Sequence, residues 1–407
     1  MIETTSQVLA ESGHEVVIFA PGYRSSHQAR PGGESGAEDA DVIRLAADPW
    51  ARPGIEIVRF PSVPAPTYPG FVLPIPWRRG LTRLVTRLRL DVVHSHSPFL
   101  MGGVALRLAK HLGLPLVFTH HTMYHEYVHY APLAQGLARQ WVWQHVANYC
   151  AQVDTVIAVS EAVERLVYKG YGITTPVELI PSGVDLRLYR SPERDRDWLR
   201  RTYGIPANAP VLINVGRLTL EKNPGLLLRS LQQLRVSRDA DPRLAGTTFD
   251  PWLVLVGDGP QAAEVRRQAT ELGVASRVIL TGRLEPARVA DALLGADIFV
   301  MASFTETQGL VVAEALACGL PTVVVDSPPL RESVQDGQAG LIVAGEPDAL
   351  AAACRHLLTD PSLRQRLQSA ALRRGEELSV QAATAKLLAL YRRLISARQR
   401  TEKRGGG

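Results

Sequence analysis

The stretch MASFTETQGLVVAEALACGLPTVVVD, residues Met301 to Asp326, decides the fold. It reads as strand end, polar loop, short apolar helix, turn and next buried strand. The run ADIFVMA (Ala296–Ala302) stops at Ser303, and the loop that follows holds Glu306 and Gly309. Leu310 to Cys318 forms a small helix with one carboxylate, Glu314, set among Val311, Val312, Ala313, Ala315, Leu316 and Ala317. Gly319 and Pro321 end it, and TVVVD (Thr322–Asp326) begins another buried strand. An unpaired charge in so apolar a helix is costly, so Glu314 needs a partner. A helix N-terminus presents backbone N–H groups without intrahelical acceptors, which suits an anion. One junction thus offers two carboxylate acceptors and a phosphate cradle. A nucleotide-sugar carries the matching groups: hydroxyls for the carboxylates and a diphosphate for the amides.

The pattern repeats on both sides. VLINVG (Val211–Gly216), WLVLVG (Trp252–Gly257), RVILTG (Arg277–Gly282) and GLIVA accompany ADIFVMA and TVVVD, with helices between them. In the first half, GHEVVIFAP (Gly13–Pro21), IEIVRF, LDVVHSHSPF (Leu90–Phe99), LPLVFTHHT (Leu114–Thr122), VDTVIAVS (Val153–Ser160) and VELIPSGVD (Val177–Asp185) are the strands. Alternation of strands and helices predicts a doubly wound parallel α/β sheet in each half. The charged stretch SPERDRDWLRR (Ser191–Arg201) separates a domain at 1–190 from one at 191–378. A basic tail, 397–407, reads as disordered.

NVGRLTLEKNP (Asn214–Pro224) follows a strand and opens a helix, so Gly216, Arg217 and Lys222 sit at a strand end. Two cations there neutralise a diphosphate and stabilise a departing nucleotide. VGDGP (Val256–Pro260) places a Gly turn at Gly257, at the ligand edge of such sheets.

Glu306 and Glu314 in E-x7-E spacing, followed by A-x-A-x-G-x-P-x-V, resemble the donor-site signature of retaining glycosyltransferases of family 4, group 1. Arg217 and Lys222 match that family's G-R-x(4)-K element. The resemblance covers nearly the whole chain and implies the GT-B architecture, two Rossmann-like domains facing a cleft. It implies that the last helix, 379–396, crosses back onto the first domain. It assigns the base to the neighbourhood of Gly282, Arg283 and Leu284, the ribose to Glu314, and the sugar to Glu306, Thr307, Gln308 and the Gly309 and Leu310 amides. It places in THHT a histidine that touches the sugar and helps place the acceptor, at His121, with His120 the fallback, and an H-x-H-x-P element at His94 and His96 that shapes the same acceptor-side edge, with Tyr124 on that side too. PSGVD (Pro181–Asp185) matches its P-N-G-V-D turn with Ser182 in place of Asn. HTMYHEYVHYAP, containing Tyr124, and TETQGL are similar to bacterial diacylglycerol glucosyltransferases, which implies UDP-glucose as donor and a lipid acceptor. The runner-up is a GDP-mannose-dependent mannosyltransferase acting on a lipid or small sugar. The same resemblance implies no protein base, no metal and no other cofactor. In that family a strand and Gly-rich loop precede the first helix. Met1 is therefore read as an internal methionine of a longer chain, the alternative being an inactive nucleotide-sugar-binding remnant.

Other classes fit poorly. The net charge is +5 over 407 residues, and the basic excess is spread out, so no nucleic-acid stripe forms. Three scattered cysteines give no disulfide framework and point to the cytoplasm. HEYVH (His125–His129) is a literal H-E-x-x-H, but neither a metzincin continuation nor a downstream Glu ligand follows. The D-x-D triplets (Asp39–Asp41, Asp195–Asp197, Asp239–Asp241) lie in polar linkers. Trp77–Arg89 carries Leu81, Leu84, Val85 and Leu88 at helical spacing, with Arg78, Arg79, Arg83, Arg87 and Arg89 elsewhere. Such a helix packs on a core with a solvated basic face, or lies on an anionic membrane surface. Tyr124, Trp141 and Trp143 suit an interfacial lipid, or pack on the sheet.

Overall fold

The computed structural model describes residues 2–22, 52–64, 72–75, 81–124, 135–240 and 250–405. The chain forms two compact units, Met1–Pro181 with Ala383–Gly407, and Ser182–Ala382.

In the first unit, β1 (Val16–Pro21) and β2 (Ile55–Phe60) pair in parallel, and β3 (Ser62–Pro64) and β4 (Val72–Pro74) form a short antiparallel ribbon. A four-stranded parallel sheet holds β5 (Val93–Ser95), β6 (Leu116–His120), β7 (Thr155–Ala158) and β8 (Val177–Leu179) in that order. Residues alternate across it. Phe118, Val156 and Ala158 pack with Cys150 and Val163 on one face, while Val117 and Ile157 pack with Leu387 and Leu390 on the other. Those two leucines belong to the C-terminal helix Val380–Gly405.

The second unit is one six-stranded parallel sheet: β9 (Val211–Val215), β10 (Trp252–Val256), β11 (Val278–Gly282), β12 (Ile298–Met301), β13 (Thr322–Val325) and β14 (Gly340–Val343). Both faces are covered. Ile298 and Val300 join the cluster of Leu226, Leu228 and Leu231, whereas Phe299 and Met301 join that of Val312, Leu316 and Leu330. Burial on both sides explains why these strands are continuous apolar runs rather than alternating ones. The order is β11-β10-β9-β12-β13-β14. The unit's first strand, β9, therefore lies beside its fourth, β12, and the chain winds away in opposite directions from that point. Ligands of doubly wound sheets bind outside the carboxyl ends of the strands at this reversal.

Two expectations are corrected. The first boundary falls at Pro181–Ser182 rather than at 190, because the short helix Leu186–Arg190 packs into the second unit. It buries Tyr189 there, and Arg190 Nε donates to the Ala317 carbonyl at 3.2 Å. The tail is also not disordered from 397. The helix continues to Gly405, with Arg393 paired to Glu178 and Arg398 Nη2 3.0 Å from Asp154 Oδ1.

Candidate active site

The loops leaving β9 and β12 meet at the reversal point. Ser303 Oγ and the Phe304 N–H both donate to the Glu221 carbonyl, each at 3.3 Å. Lys222 Nζ forms an ion pair with Glu306, whose side chain is 11% exposed against 27% for the lysine. The cation and the first carboxylate of the sequence motifs thus touch, although they stand far apart in the chain. Arg217 is exposed on the same loop. The β10 and β11 loops close in beside it. The Gly257 N–H donates to the Gly282 carbonyl at 3.0 Å, and a Cβ at 257 would stand 2.0 Å from the Gly216 oxygen. Gly216, Gly257 and Gly282 therefore share one edge, with Arg283 exposed next to them and Leu284 turned onto the core.

Gly309 caps the helix Leu310–Ala317 at φ +74°, where a Cβ would also meet Leu330 Cδ2 at 2.6 Å. Only glycine fits this position without strain. Thr307 and Leu310 flank it, half-buried. Inside the helix, Glu314 finds its partner: the Tyr189 hydroxyl donates to its carboxylate. Burial outweighs that bond and pushes the Glu314 carboxyl up to about 7. Tyr189 is a residue that motif reading missed. Its only hint was that a buried phenol requires an acceptor.

Gln308 is corrected. It was expected among the donor-binding residues, but its side chain is buried and its amide is spent on the Ser182 backbone. Nε2 donates to the Ser182 carbonyl and Oε1 accepts from the Ser182 N–H, both at 2.8 Å. Ser182, where PSGVD departs from the family turn, is thus held by the TETQGL loop. Gly183 follows in close approach, since a Cβ there would lie 2.4 Å from Val380 Cα. Gln308→Leu strips the half-buried Ser182 N–H and C=O of their partner and should cost about 1–3 kcal/mol in urea unfolding. A cost below about 0.5 kcal/mol would contradict the clamp.

In the first unit, His94 and His96 mark the end of β5, and His120 and His121 the end of β6. His94 is engaged at both ring nitrogens, Nδ1 with Tyr391 Oη at 2.5 Å and Nε2 with Thr119 Oγ1 at 2.6 Å. His120 is fully buried, with Nε2 3.2 Å from Tyr171 Oη. Both are turned inward, contrary to the acceptor-side expectation. Tyr124 packs edge-on against Phe99 at 5.3 Å and against His120 at 5.5 Å. His96 and His121 remain half-buried and bond to each other. HEYVH lies outside the described residues, and among those described no group of three metal-ligating side chains is placed to hold an ion.

Models of known families match both halves: Glycosyltransferase Family 4 over residues 1–188, and Glycosyl transferases group 1 over 195–374. The D-inositol 3-phosphate glycosyltransferase of Corynebacterium glutamicum (strain R) is 30% identical over 410 residues, covering 97% of this chain and 91% of that one. The chain belongs to the family 4, group 1 glycosyltransferases. The glycosyltransferase is also 28% identical over 367 residues to the alpha-monoglucosyldiacylglycerol synthase of Streptococcus pneumoniae, spanning 89% of this chain and 76% of that one. Its fold matches that of Anabaena HepE, solved in complex with UDP-glucose, with TM-score 0.67 at 20% identity over 94% of this chain and 100% of that one. The architecture is the two-domain GT-B fold, and the activity class is hexosyl transfer.

The first unit of the glycosyltransferase also carries an apolar surface. Leu137 is 73% exposed and Trp141 60% exposed, one turn apart on the helix Gln135–Cys150. Trp141 stacks on His145 at 5.0 Å and lies 6.5 Å from Phe99, whose neighbour Leu100 is 46% exposed. Trp143, expected to share this role, instead packs on Tyr171 at 4.9 Å. Within the described residues the basic helix runs Leu81–Arg87 and ends before Leu88, with Val85 buried and Arg83 and Arg87 exposed. Arg78 and Arg79 lie outside the described residues. No described helix is long and apolar enough to cross a membrane.

Proposed function

We propose that the glycosyltransferase moves glucose from UDP-glucose to a diacylglycerol-type lipid with retention of configuration. The observation that carries the donor half is the meeting of Lys222 and Glu306 at the strand-order reversal, with Glu314 one helix turn away from the Gly309 cap. In this reading Arg217 and Lys222 hold the diphosphate and Glu314 accepts from the ribose hydroxyls. Glu306 and the Gly309 and Leu310 amides hold the sugar, and His121 steadies it. As the glycosidic bond breaks, negative charge grows on the leaving phosphate, and the two cations stabilise it there. That phosphate takes the acceptor proton on the same face, so no protein base is required. No metal is required either, and turnover should be unchanged in excess EDTA; loss that Mg2+ restores would contradict this.

The pneumococcal relative's name and the exposed Leu100, Leu137 and Trp141 support a lipid acceptor. Such aromatic and aliphatic side chains suit the water–lipid interface of the membrane's inner face, and the exposed Arg83 and Arg87 suit its anionic headgroups. The full-length match to an inositol-phosphate glycosyltransferase supports a second reading, a small soluble acceptor. The test is transfer from radiolabelled UDP-glucose to diacylglycerol in mixed micelles against transfer to soluble polyols. Organic-phase label supports the first reading and aqueous product the second. UDP binding without turnover would return the chain to the binding-remnant alternative. Co-sedimentation with anionic vesicles should fall several-fold in Trp141→Ser combined with Arg83→Gln and Arg87→Gln. Unchanged sedimentation would remove the membrane surface from the account.

A further inference from the structure

Three of the histidines at the ends of β5 and β6, His94, His96 and His121, lie in one row. The His96 ring lies between His94, centroids 4.2 Å apart with planes at 30°, and His121, 5.2 Å apart at 17°. His94 cannot turn, because Tyr391 and Thr119 hold its two nitrogens. It forms a fixed wall behind His96. On the other side, His96 Nδ1 stands 2.9 Å from His121 Nε2.

That contact restricts the chemistry of both rings. A neutral imidazole has one N–H and one lone pair. Two facing nitrogens at hydrogen-bond distance must be one of each. Burial holds His94 down to about 3, His121 down to about 4, and His96 well below the usual imidazole range. Near neutral pH neither ring of the His96–His121 pair carries a second proton, so the pair shares one proton between the facing atoms. Two arrangements satisfy this. Either both rings are protonated at Nδ1 or both at Nε2. The Nε2–H form is the more stable tautomer of an isolated neutral histidine, and the second arrangement gives it to both rings. Then His121 Nε2–H donates to the His96 Nδ1 lone pair, and His121 Nδ1 is left as an acceptor.

We propose that His96 is a positioning residue that fixes the tautomer and ring plane of His121, so that His121 Nδ1 meets a hydroxyl donor of the bound sugar as a hydrogen-bond acceptor. The role of His121 toward the sugar rests on the function proposed above; its tautomer does not. An acceptor there discriminates: a sugar hydroxyl at this point donates its proton, whereas a deoxy sugar leaves the nitrogen unpaired.

The experiment has a spectroscopic and a kinetic arm. In protein labelled with 15N-histidine, long-range 1H–15N correlations should show His121 protonated at Nε2 with a bare Nδ1. In His96→Phe, which keeps a ring stacked on His94 but removes the acceptor, the His121 nitrogens should move toward averaged tautomer shifts. His96→Asn places an amide oxygen near the former Nδ1 and should restore the wild-type pattern. With UDP-glucose, kcat should fall about tenfold in His96→Phe, recover at least half-way in His96→Asn, and leave UDP affinity within twofold in both. A proton on His121 Nδ1 in the wild type, or His121 nitrogens unmoved in His96→Phe, would overturn the proposal. So would the expected spectra with kcat unaltered in His96→Phe while His121→Ala is inactive. If His121→Ala is itself fully active, the sugar-contact assignment fails, whatever the spectra show.

Discussion

Lys222→Ala should lower kcat/KM for the nucleotide-sugar by about 10²–10³-fold, the loss expected when one preorganised charge is removed from a developing oxyanion. The side chain stands on the loop leaving β9, at the reversal point of the sheet, and its resting partner is Glu306. Most of the loss should fall on kcat, because charge on the leaving diphosphate grows toward the transition state. The same substitution strips a largely buried carboxylate of its cation. It should therefore also destabilise the fold by about 1–2 kcal/mol, a few degrees in melting temperature. The two effects separate in a second variant. Lys222→Met with Glu306→Gln removes both charges, so stability should return while turnover does not. Recovery of activity along with stability would mean that the lysine only supports the loop. Steady-state UDP release and thermal melts of the three proteins provide the comparison.

Glu314→Gln should raise stability at pH 8 and weaken UDP binding at least tenfold. Burial lifts the Glu314 carboxyl to about 7 from its ordinary 4.5. Between those values the unfolded chain has released the proton and the folded chain retains it. The unfolded state then binds fewer protons, so stability falls as pH rises through this window. The full loss is on the order of 3 kcal/mol at 1.36 kcal/mol per unit, less whatever solvent relieves at a half-buried site. Denaturation midpoints from pH 4.5 to 8 should therefore decline more steeply in the wild type than in Glu314→Gln. Ribose hydroxyls bond better to the ionised carboxylate, so UDP affinity should rise from pH 6 to 8. The phosphate titrates in the same range, but it does so equally in both proteins. The glutamate's part is the difference between their slopes, and equal slopes would remove Glu314 from the ribose site.

Much of this was readable from residue order. The apolar runs from Val211 to Val343 named the six strands of the second sheet, because strands buried on both faces leave no room for polar alternation. Gly309 and the carboxylates on either side of it named the donor junction, since a cap at positive φ and a charge in an apolar helix both need special explanation. What escaped were contacts between distant parts of the chain. Tyr189 reaches Glu314, and Gln308 spends its amide on Ser182, across separations that no periodicity encodes. The basic tail looked disordered by composition, yet Arg398 meets Asp154 and the helix persists. His94 and His120 looked like site residues in a motif. Both nitrogens of His94 are held by Tyr391 and Thr119, and Nε2 of His120 by Tyr171, partners that only the folded chain brings near.

The central claim is that the junction of β9 and β12 is a nucleotide-sugar donor site. Its most direct test is thermal stabilisation of the purified protein by UDP, GDP and ADP, with Glu314→Ala and Lys222→Ala beside the wild type. The account predicts a shift of several degrees with UDP, smaller shifts with GDP and ADP, and loss of the UDP shift in both variants. A UDP shift that survives both substitutions, or no shift with any nucleotide, would contradict it.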